Sequence, residues 1–341
     1  MTGLLNLSED QRKRVFEEAA LKTGAGMPAN TIEKDWWVTL TLKALFAGKY
    51  SGHMLFKGGT SLSKGWKLVE RFSEDIDIAL AAEAFGMTNQ ENPSKTFVEK
   101  LKKKGCDFTS NELKNELKLQ FAALGIPDEL IKIEAAQIKI NMPDKDPQTL
   151  LVHYPSLFDR NSYVEEVVKL EVSVRSMKEP FSKVQIQSML NEYYPNTALY
   201  PEIPFEVVAV EARRTFLEKV FLLHEEFLRP DQSKIRAERM SRHLYDLEKI
   251  MDSDSGKQAL ADDVLYNAVI LHRQNYSRLT WVDYTTLERN KVKFLPPEDF
   301  VEAYRMDYER MQDVMIYGKS ITFDQLLKRL NSLQERVRKT S

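Results

Sequence analysis

The chain has 341 residues, with 49 Lys and Arg against 51 Asp and Glu and a net charge of −2. At roughly 100–200 residues per domain that length suits two domains, and 43% hydrophobic with 29% charged residues is enough for an ordinary core without structural metal. The charge balance excludes a protein that coats nucleic acid by bulk electrostatics, while leaving room for a local basic groove. The single cysteine, Cys106, excludes an internal disulfide framework and fits a reducing compartment.

The first residues, MTGLLNLSEDQRKR, have neither a basic start nor a long apolar run, so no signal peptide is expected. The most apolar stretch, Trp36 to Ala47, is interrupted by Lys43 and too short for a bilayer. A cytoplasmic protein with no membrane partner is expected. Ser8-Glu9-Asp10-Gln11 is a capping-box pattern that predicts a first helix to about Lys22. Gly24, Gly26 and Pro28 break it, and Asn30 precedes a second helix whose apolar residues leave few purely polar faces, the mark of a helix packed on several sides. A compact unit follows: a strand at His53–Lys57, the turn Gly58-Gly59-Thr60, a helix to about Val69, and a strand near Glu74–Leu80. Ser94 to Gly125 reads as a polar helical insertion. Ile131–Met142, Thr149–Tyr154 and Glu165–Arg175 read as strands, and Pro195, Pro201 and Pro204 as a linker. After Glu206 every segment carries helical spacing. The predicted division is an α/β (α+β) part over 1–204, with N-terminal helices and a small mixed sheet, and a helical domain over 205–341.

In a strand, residues i and i+2 point the same way, so Asp75 and Asp77 place two carboxylates side by side while Ile76 and Ile78 face the core. Adjacent carboxylates repel unless a cation shares them, and oxygen donors of this kind suit Mg²⁺ or Mn²⁺. The pattern alone also occurs in sugar-nucleotide glycosyltransferases and on solvated strand faces. The turn upstream changes its weight. Gly58-Gly59-Thr60 follows an apolar strand and opens a helix, where backbone N–H groups can receive phosphates; Thr60 or Ser61 adds a hydroxyl, and Lys57 and Lys64 are nearby cations. A glycine turn, a helix and a paired acid on the next strand together suit a triphosphate, a metal and in-line attack on the α-phosphate. Neither GxxxxGK[ST] nor GxGxxG is present. A third acid for a two-metal site is expected on a neighbouring strand. Glu171 is the better candidate and Glu134 the weaker, with an exposed strand glutamate as the bland alternative.

KGGTSLSKGWKLVERFSEDIDIAL resembles the signature of the AbiEii/AbiGii-type nucleotidyltransferase toxins, within the DNA polymerase β-like superfamily. Ile32-Glu33-Lys34-Asp35-Trp36-Trp37 resembles the family's amino-terminal segment, and Arg214-Thr215-Phe216-Leu217-Glu218-Lys219 and Arg242-His243-Leu244-Tyr245-Asp246-Leu247 its two carboxy-terminal motifs. The resemblance implies a polymerase-β-like core and a divalent-metal nucleotidyltransferase of a bacterial toxin–antitoxin or abortive-infection system. Its substrate would be an NTP, its acceptor RNA, notably the 3′ end of tRNA, and its partner an antitoxin encoded nearby. Gly58, Gly59, Thr60 and Ser61, with Lys57, Lys64 and Arg214, would hold the nucleotide. Asp75, Asp77 and Glu171 would hold the metal, and Lys219 and Asp246 would join Asp75 and Asp77 as catalytic residues. The family more often has Asp at the third acid.

Read without the resemblance, the helical motifs also fit solvated charged faces, with Arg214–Glu218 and Arg242–Asp246 as i,i+4 pairs. Core packing accounts for Trp36 and Trp37, and a packing role for His224. Arg213, Arg214, Arg236, Arg239 and Arg242 are where a basic patch for RNA is expected. The competing functions are nucleotidyl transfer to a protein or small molecule, and a non-catalytic NTP-binding module.

Overall fold

The computed structural model describes residues 1–24, 26–137, 146–159, 166–196 and 198–339. Two compact units emerge: Met1–Gly65 with Phe72–Ala209, and Trp66–Arg71 with Val210–Ser341.

In the first unit, helix α1 (Glu9–Lys22) starts at a complete capping box. Ser8 Oγ accepts from the Gln11 amide at 3.3 Å and Gln11 Oε1 from the Ser8 amide at 2.9 Å, satisfying two amides that a helix start leaves open. Helix α2 (Ala29–Ala47) is buried on every face from Thr31 to Leu42, as its unbroken apolar spacing implies. Trp36 and Trp37 are 1% and 2% exposed, and Trp37 stacks on Tyr154 at 5.1 Å; both indoles are core.

Strand β1 (Met54–Lys57) runs into a single α-turn, α3 (Gly58–Thr60), and a turn of π-helix, Ser61–Gly65. After β2 (Asp75–Leu80), helices α4 (Lys95–Phe108) and α5 (Lys114–Ala123) form the expected helical insertion. Strands β3 (Lys132–Ala135), β4 (Gln148–His153) and β5 (Val167–Ser173) follow, then β6 (Phe181–Ile186), α6 (Met189–Tyr193) and β7 (Phe205–Val210). Of the expected strands Ile131–Met142 and Glu165–Arg175, positions 138–142 and 165 lie outside the described residues. The sheet order is β3-β4-β5-β2-β1-β7-β6. Strand β2 pairs antiparallel with β1 and parallel with β5, and β1 pairs parallel with β7, so the sheet is mixed.

Two elements differ from the expectation. The helix after the glycine turn stops at Gly65 instead of reaching Val69, because the chain presses against β6 there: a Cβ on Gly65 would lie 2.8 Å from Val184 Cγ2. The segment Trp66–Arg71 then joins the second unit, where Trp66 Nε1 donates to the Val210 carbonyl at 3.0 Å. The second difference is β7. FEVVAV has the continuous apolar run of a buried parallel strand, and it pairs with β1 where a domain boundary was expected.

The second unit is built on α7 (Ala212–Phe227), α8 (Ser241–Ile250), α9 (Asp254–Ala261), α10 (Asp263–His272), α11 (Val301–Val314) and α12 (Phe323–Lys339). Phe216, Leu217, Val220, Phe221 and Leu223 make α7 its central helix, and α12 buries Leu326, Leu330, Leu333 and Val337 at helical spacing. Among the described residues no helix is long and apolar enough to cross a membrane.

Helix α2 also buries three charges, each of which must be paired. Lys34 Nζ contacts Glu74 Oε2 at 2.5 Å, Asp35 Oδ1 accepts from Lys64 Nζ at 2.6 Å, and Glu33 accepts from Ser156 Oγ and the Leu157 amide. Removing one partner takes the ion pair from a charge that stays buried. Lys34→Ala is therefore expected to cost about 3–5 kcal/mol, measured by urea unfolding of the purified protein.

Candidate active site

The acidic face arises from period-2 geometry. On β2, Asp75 and Asp77 are half-buried, whereas Ile76 and Ile78 are fully buried on the other side. In register across the sheet, Asp77 stands beside Lys57 of β1 on one flank and Glu171 of β5 on the other, and Asp75 stands beside Lys169. Glu171 thus shares a row with Asp77 on the half-buried face of β5. Glu134 lies on β3, with β4 and β5 between it and β2, and is paired with Lys132 at 2.5 Å and His153 at 3.2 Å. The structure brings Glu171 and not Glu134 to the aspartates.

The glycine turn is tied to the same strand. Gly58 adopts φ +77°, and a Cβ there would lie 2.0 Å from Asp77 Oδ2. The first glycine is thus required twice over, by backbone conformation and by the carboxylate packed against it. Thr60 Oγ1 donates to the Asp75 carbonyl and lies 2.8 Å from Ser73 Oγ, while Ser61 Oγ donates to the Gly58 carbonyl at 2.9 Å. Both hydroxyls, read from sequence as phosphate donors, brace the turn and the entry to β2. Lys64 is likewise held by Asp35, whose second oxygen accepts from the Met189 amide at 2.7 Å. Lys57 remains half-buried beside Asp77 and donates to Ser176 Oγ at 2.8 Å, and Gly59 is half-buried.

The donor set fits a hard divalent cation. Asp75 and Asp77 offer carboxylate oxygens from one face, the chemistry Mg²⁺ and Mn²⁺ take, and such ions usually complete their shells with substrate phosphates and water. Among the described residues no three His, Cys, Asp or Glu side chains close around one point, so Glu171 shares the row without closing on Asp75 and Asp77 as a three-ligand group. Asp75 and Asp77, with Glu171 next in the row, are the residues that would hold the ion.

In the second unit Lys219 and Asp246 meet directly. Lys219 Nζ lies 2.9 Å from Asp246 Oδ2 and 3.4 Å from His243 Nδ1. Arg71, unremarked in the sequence, grips Asp246 with two parallel bonds of 2.7 Å, Nε to Oδ1 and Nη2 to Oδ2. Burial alone would raise the Asp246 carboxyl, but Arg71 and Lys219 hold it below the usual carboxylate range. Burial lowers the Lys219 ammonium, aided by Arg71 and opposed by Asp246. Burial, reinforced by Lys219, Arg242, Arg71 and Arg236, keeps the His243 imidazole well below its ordinary value and hence neutral.

Arg214, fully buried, pairs with Glu218 at 2.8 Å, the helical partner its spacing suggested. Burial lowers its guanidinium, opposed by Glu218 and aided by Arg273. Of the arginines expected to form a basic patch, Arg213 binds Glu211 and Asp262, and Arg236 binds Glu226 while its side chain stays exposed. His224 has a packing role: Nδ1 accepts from the Lys293 amide at 2.9 Å and Nε2 meets Thr286 Oγ1 at 3.0 Å.

A mixed sheet with a glycine turn packed against one of two paired aspartates is the layout expected of a nucleotidyltransferase. A family model described as nucleotidyl transferase AbiEii toxin, type IV TA system, matches residues 41–329. The chain belongs to that family, and its partner is accordingly an antitoxin. No curated protein matches it.

Gly58→Ala should drive a methyl into Asp77 and force alanine into the left-handed region, a strain of about 1–2 kcal/mol before any clash. The expected outcome is a protein with the wild-type circular dichroism spectrum and nucleotidyl transfer lowered about 100-fold, the scale of a 1 Å misplacement. Labelled-NTP transfer measures it.

Proposed function

We propose that this protein is a metal-dependent toxin that transfers a nucleoside monophosphate from an NTP to an RNA acceptor, with the 3′ end of tRNA as the favoured acceptor. The observation that carries the reading is the pair Asp75 and Asp77, half-buried on one strand face with Gly58 packed against the second. In the transfer the acceptor hydroxyl oxygen bonds to the α-phosphorus, the α–β anhydride bond breaks, and pyrophosphate leaves with that electron pair. Asp75 and Asp77 would hold Mg²⁺ or Mn²⁺, with Glu171 next to them in the row. When bound, that ion neutralises charge on the triphosphate and the entering oxygen. Lys57 beside Asp77, and the backbone of Gly58 and Gly59, would receive phosphate oxygens. Cys106 is buried and is the chain's single cysteine, so no internal disulfide can form, which fits a cytoplasmic location.

An RNA acceptor needs a local cationic surface on a chain of net charge −2. Helix α4 supplies one. Lys100, Lys103 and Lys104 are exposed at helical i, i+3, i+4 spacing, and none of the ion pairs among the described residues involves them.

The decisive assay incubates the full chain with labelled NTPs and RNA, protein and metabolite fractions, with and without Mg²⁺. Label in RNA, lost on chelation, is expected; label in protein or metabolites alone would move the acceptor elsewhere, and NTP binding without transfer would mark a non-catalytic module. Asp75→Asn and Asp77→Asn should each lower transfer on the order of 10²–10³-fold or more with unfolding midpoints kept. Full activity in either would remove the metal reading.

Charge reversal of Lys100, Lys103 and Lys104 to Glu should weaken RNA binding while leaving the KM for NTP unchanged. The slope of log K against log salt is expected to fall by about 2, as for three lost contacts to a single strand. An unchanged slope would place the RNA surface elsewhere.

A further inference from the structure

Lys57 stands opposite Asp77 in the β1–β2 ladder, and both residues are half-buried. Directly opposite residues of an antiparallel pair share a face, with Cβ atoms about 4.5–5.5 Å apart, so a lysine can easily reach the carboxylate across from it. An ammonium also gains more from a carboxylate than from a hydroxyl, because both partners then carry charge. Lys57 nevertheless donates to the Ser176 hydroxyl at 2.8 Å. Among the described residues its ammonium has no other hydrogen bond and no ion pair.

The seat of Ser176 is built by the residues before it. Strand β5 ends at Ser173, and the 4% exposed Asp146 binds the chain there residue by residue. Asp146 Oδ2 accepts from Ser173 Oγ at 2.7 Å and from Arg175 Nε at 2.8 Å. Its Oδ1 accepts from the Val174 amide at 2.6 Å, and its backbone carbonyl from Arg175 Nη2 at 2.7 Å. Helix α4 closes on the same segment, where a Cβ on Gly105 would lie 2.4 Å from Val174 Cγ1. Ser176 follows Ser173, Val174 and Arg175 directly, so its hydroxyl is presented to Lys57 from a fixed support.

We infer that Ser176 is a positioning residue for nucleotidyl transfer: it holds the Lys57 ammonium off Asp77, so that the lysine meets a phosphate oxygen and does not compete with a divalent cation for that carboxylate. The inference rests on the functional reading above, in which Asp75 and Asp77 hold the ion and Lys57 meets the triphosphate. An ammonium seated on Asp77 would oppose the ion twice, by occupying a carboxylate oxygen and by its like charge. On Ser176 it spends one of its three N–H bonds and keeps two for a phosphate. A hydroxyl suits the place because it holds the lysine without neutralising it, as a carboxylate would. Every residue in this arrangement belongs to the first unit.

The experiment compares wild type, S176A, S176T, K57M and the S176A/K57M double variant as full chains. The first readout is the dissociation constant for Mn²⁺ alone, from the electron paramagnetic resonance signal of the free ion, with D75N and D77N marking the site. The second is kcat and KM for the NTP in the labelled transfer assay. The third is the place of the Lys57 ammonium in crystals of wild type and S176A grown without metal. S176A is expected to weaken Mn²⁺ binding about tenfold, the lower end of what a unit charge within about 4–6 Å does to the cation preference of a carboxylate. It should also raise the KM for NTP more than it lowers kcat. S176T keeps the hydroxyl and should bind Mn²⁺ as wild type does. The double variant should match K57M, because without the ammonium the hydroxyl has nothing to restrain. In S176A crystals Nζ should lie within about 4 Å of an Asp77 oxygen, the reach of an ion pair. Equal Mn²⁺ affinity in S176A and wild type overturns the inference. So does a loss that persists undiminished in S176A/K57M, the result of a merely structural serine. If D75N and D77N leave Mn²⁺ binding unchanged, the metal reading fails by itself. The crystals then decide the restraint: Lys57 on Asp77 in S176A upholds it, and Lys57 still away from Asp77 removes it.

Discussion

A buried ammonium or guanidinium must find a carboxylate, and the layout of the candidate site follows from where those pairings fall. In the first unit, Asp35 takes Lys64 from the end of the glycine turn and the Met189 amide from α6, while Lys34 takes Glu74, the residue immediately before Asp75. Consecutive residues of α2 therefore fix both flanks of the site. One pairing sets where the turn ends and the other where β2 begins. Each pair is desolvated, so each is worth little net stability against a well-packed apolar alternative. Their value lies in position. A carboxylate pair meant for a cation has to be held at the separation the cation wants, and apolar packing alone would let β2 slide or fray at its start.

The same device recurs in the second unit with arginine. Arg71 and Lys219 converge on Asp246, Arg273 on Glu225, and Arg236 on Glu226. Arginine suits these places because its fork matches a carboxylate edge and it stays charged when buried. The consequence for partners is electrostatic. Arg71, Lys219 and Arg273 are buried in these pairs and add little to the surface potential, so the sum of basic residues says little about nucleic-acid binding.

Much of the fold was legible because it depends on local periodicity. The capping box at Ser8, the all-round apolar helix α2 and the alternation of DIDI and KLEVS are patterns in which near neighbours decide the outcome, and each element lies close to where its pattern placed it. What escaped depends on contacts distant in sequence. Gly65 ends its helix because Val184 arrives from β6, and β7 is a strand because β1 offers it an open edge. At the site, the acid face and the glycine beneath it could be read from spacing. The commitments of Lys64, Thr60 and Ser61 could not, since nothing within a few residues of Lys64 announces Asp35. Arg71 was hidden for the same reason: its partner is 175 positions away. A signal was present nonetheless. ERF directly before SEDIDI puts an arginine into an otherwise apolar and acidic stretch, and a cation so placed calls for a distant carboxylate.

The connection between the glycine turn and the aspartates is therefore more than a linker. Turn and aspartates both belong to the first unit, and the direct path from Gly65 to β2 would need only a short loop. The chain instead gives Trp66–Arg71 to the second unit, anchoring it with the Trp66 indole at one end and the Arg71 fork at the other. Only three residues separate Arg71 from Asp75. Backbone over so few residues has little freedom once both ends are fixed, because peptide planarity leaves two soft dihedrals per residue. On the first unit's side of that short stretch, Ser73 contacts Thr60 of the turn and Glu74 is the partner of Lys34, so the residues just before β2 are held by buried polar contacts as closely as Arg71 is by its carboxylate.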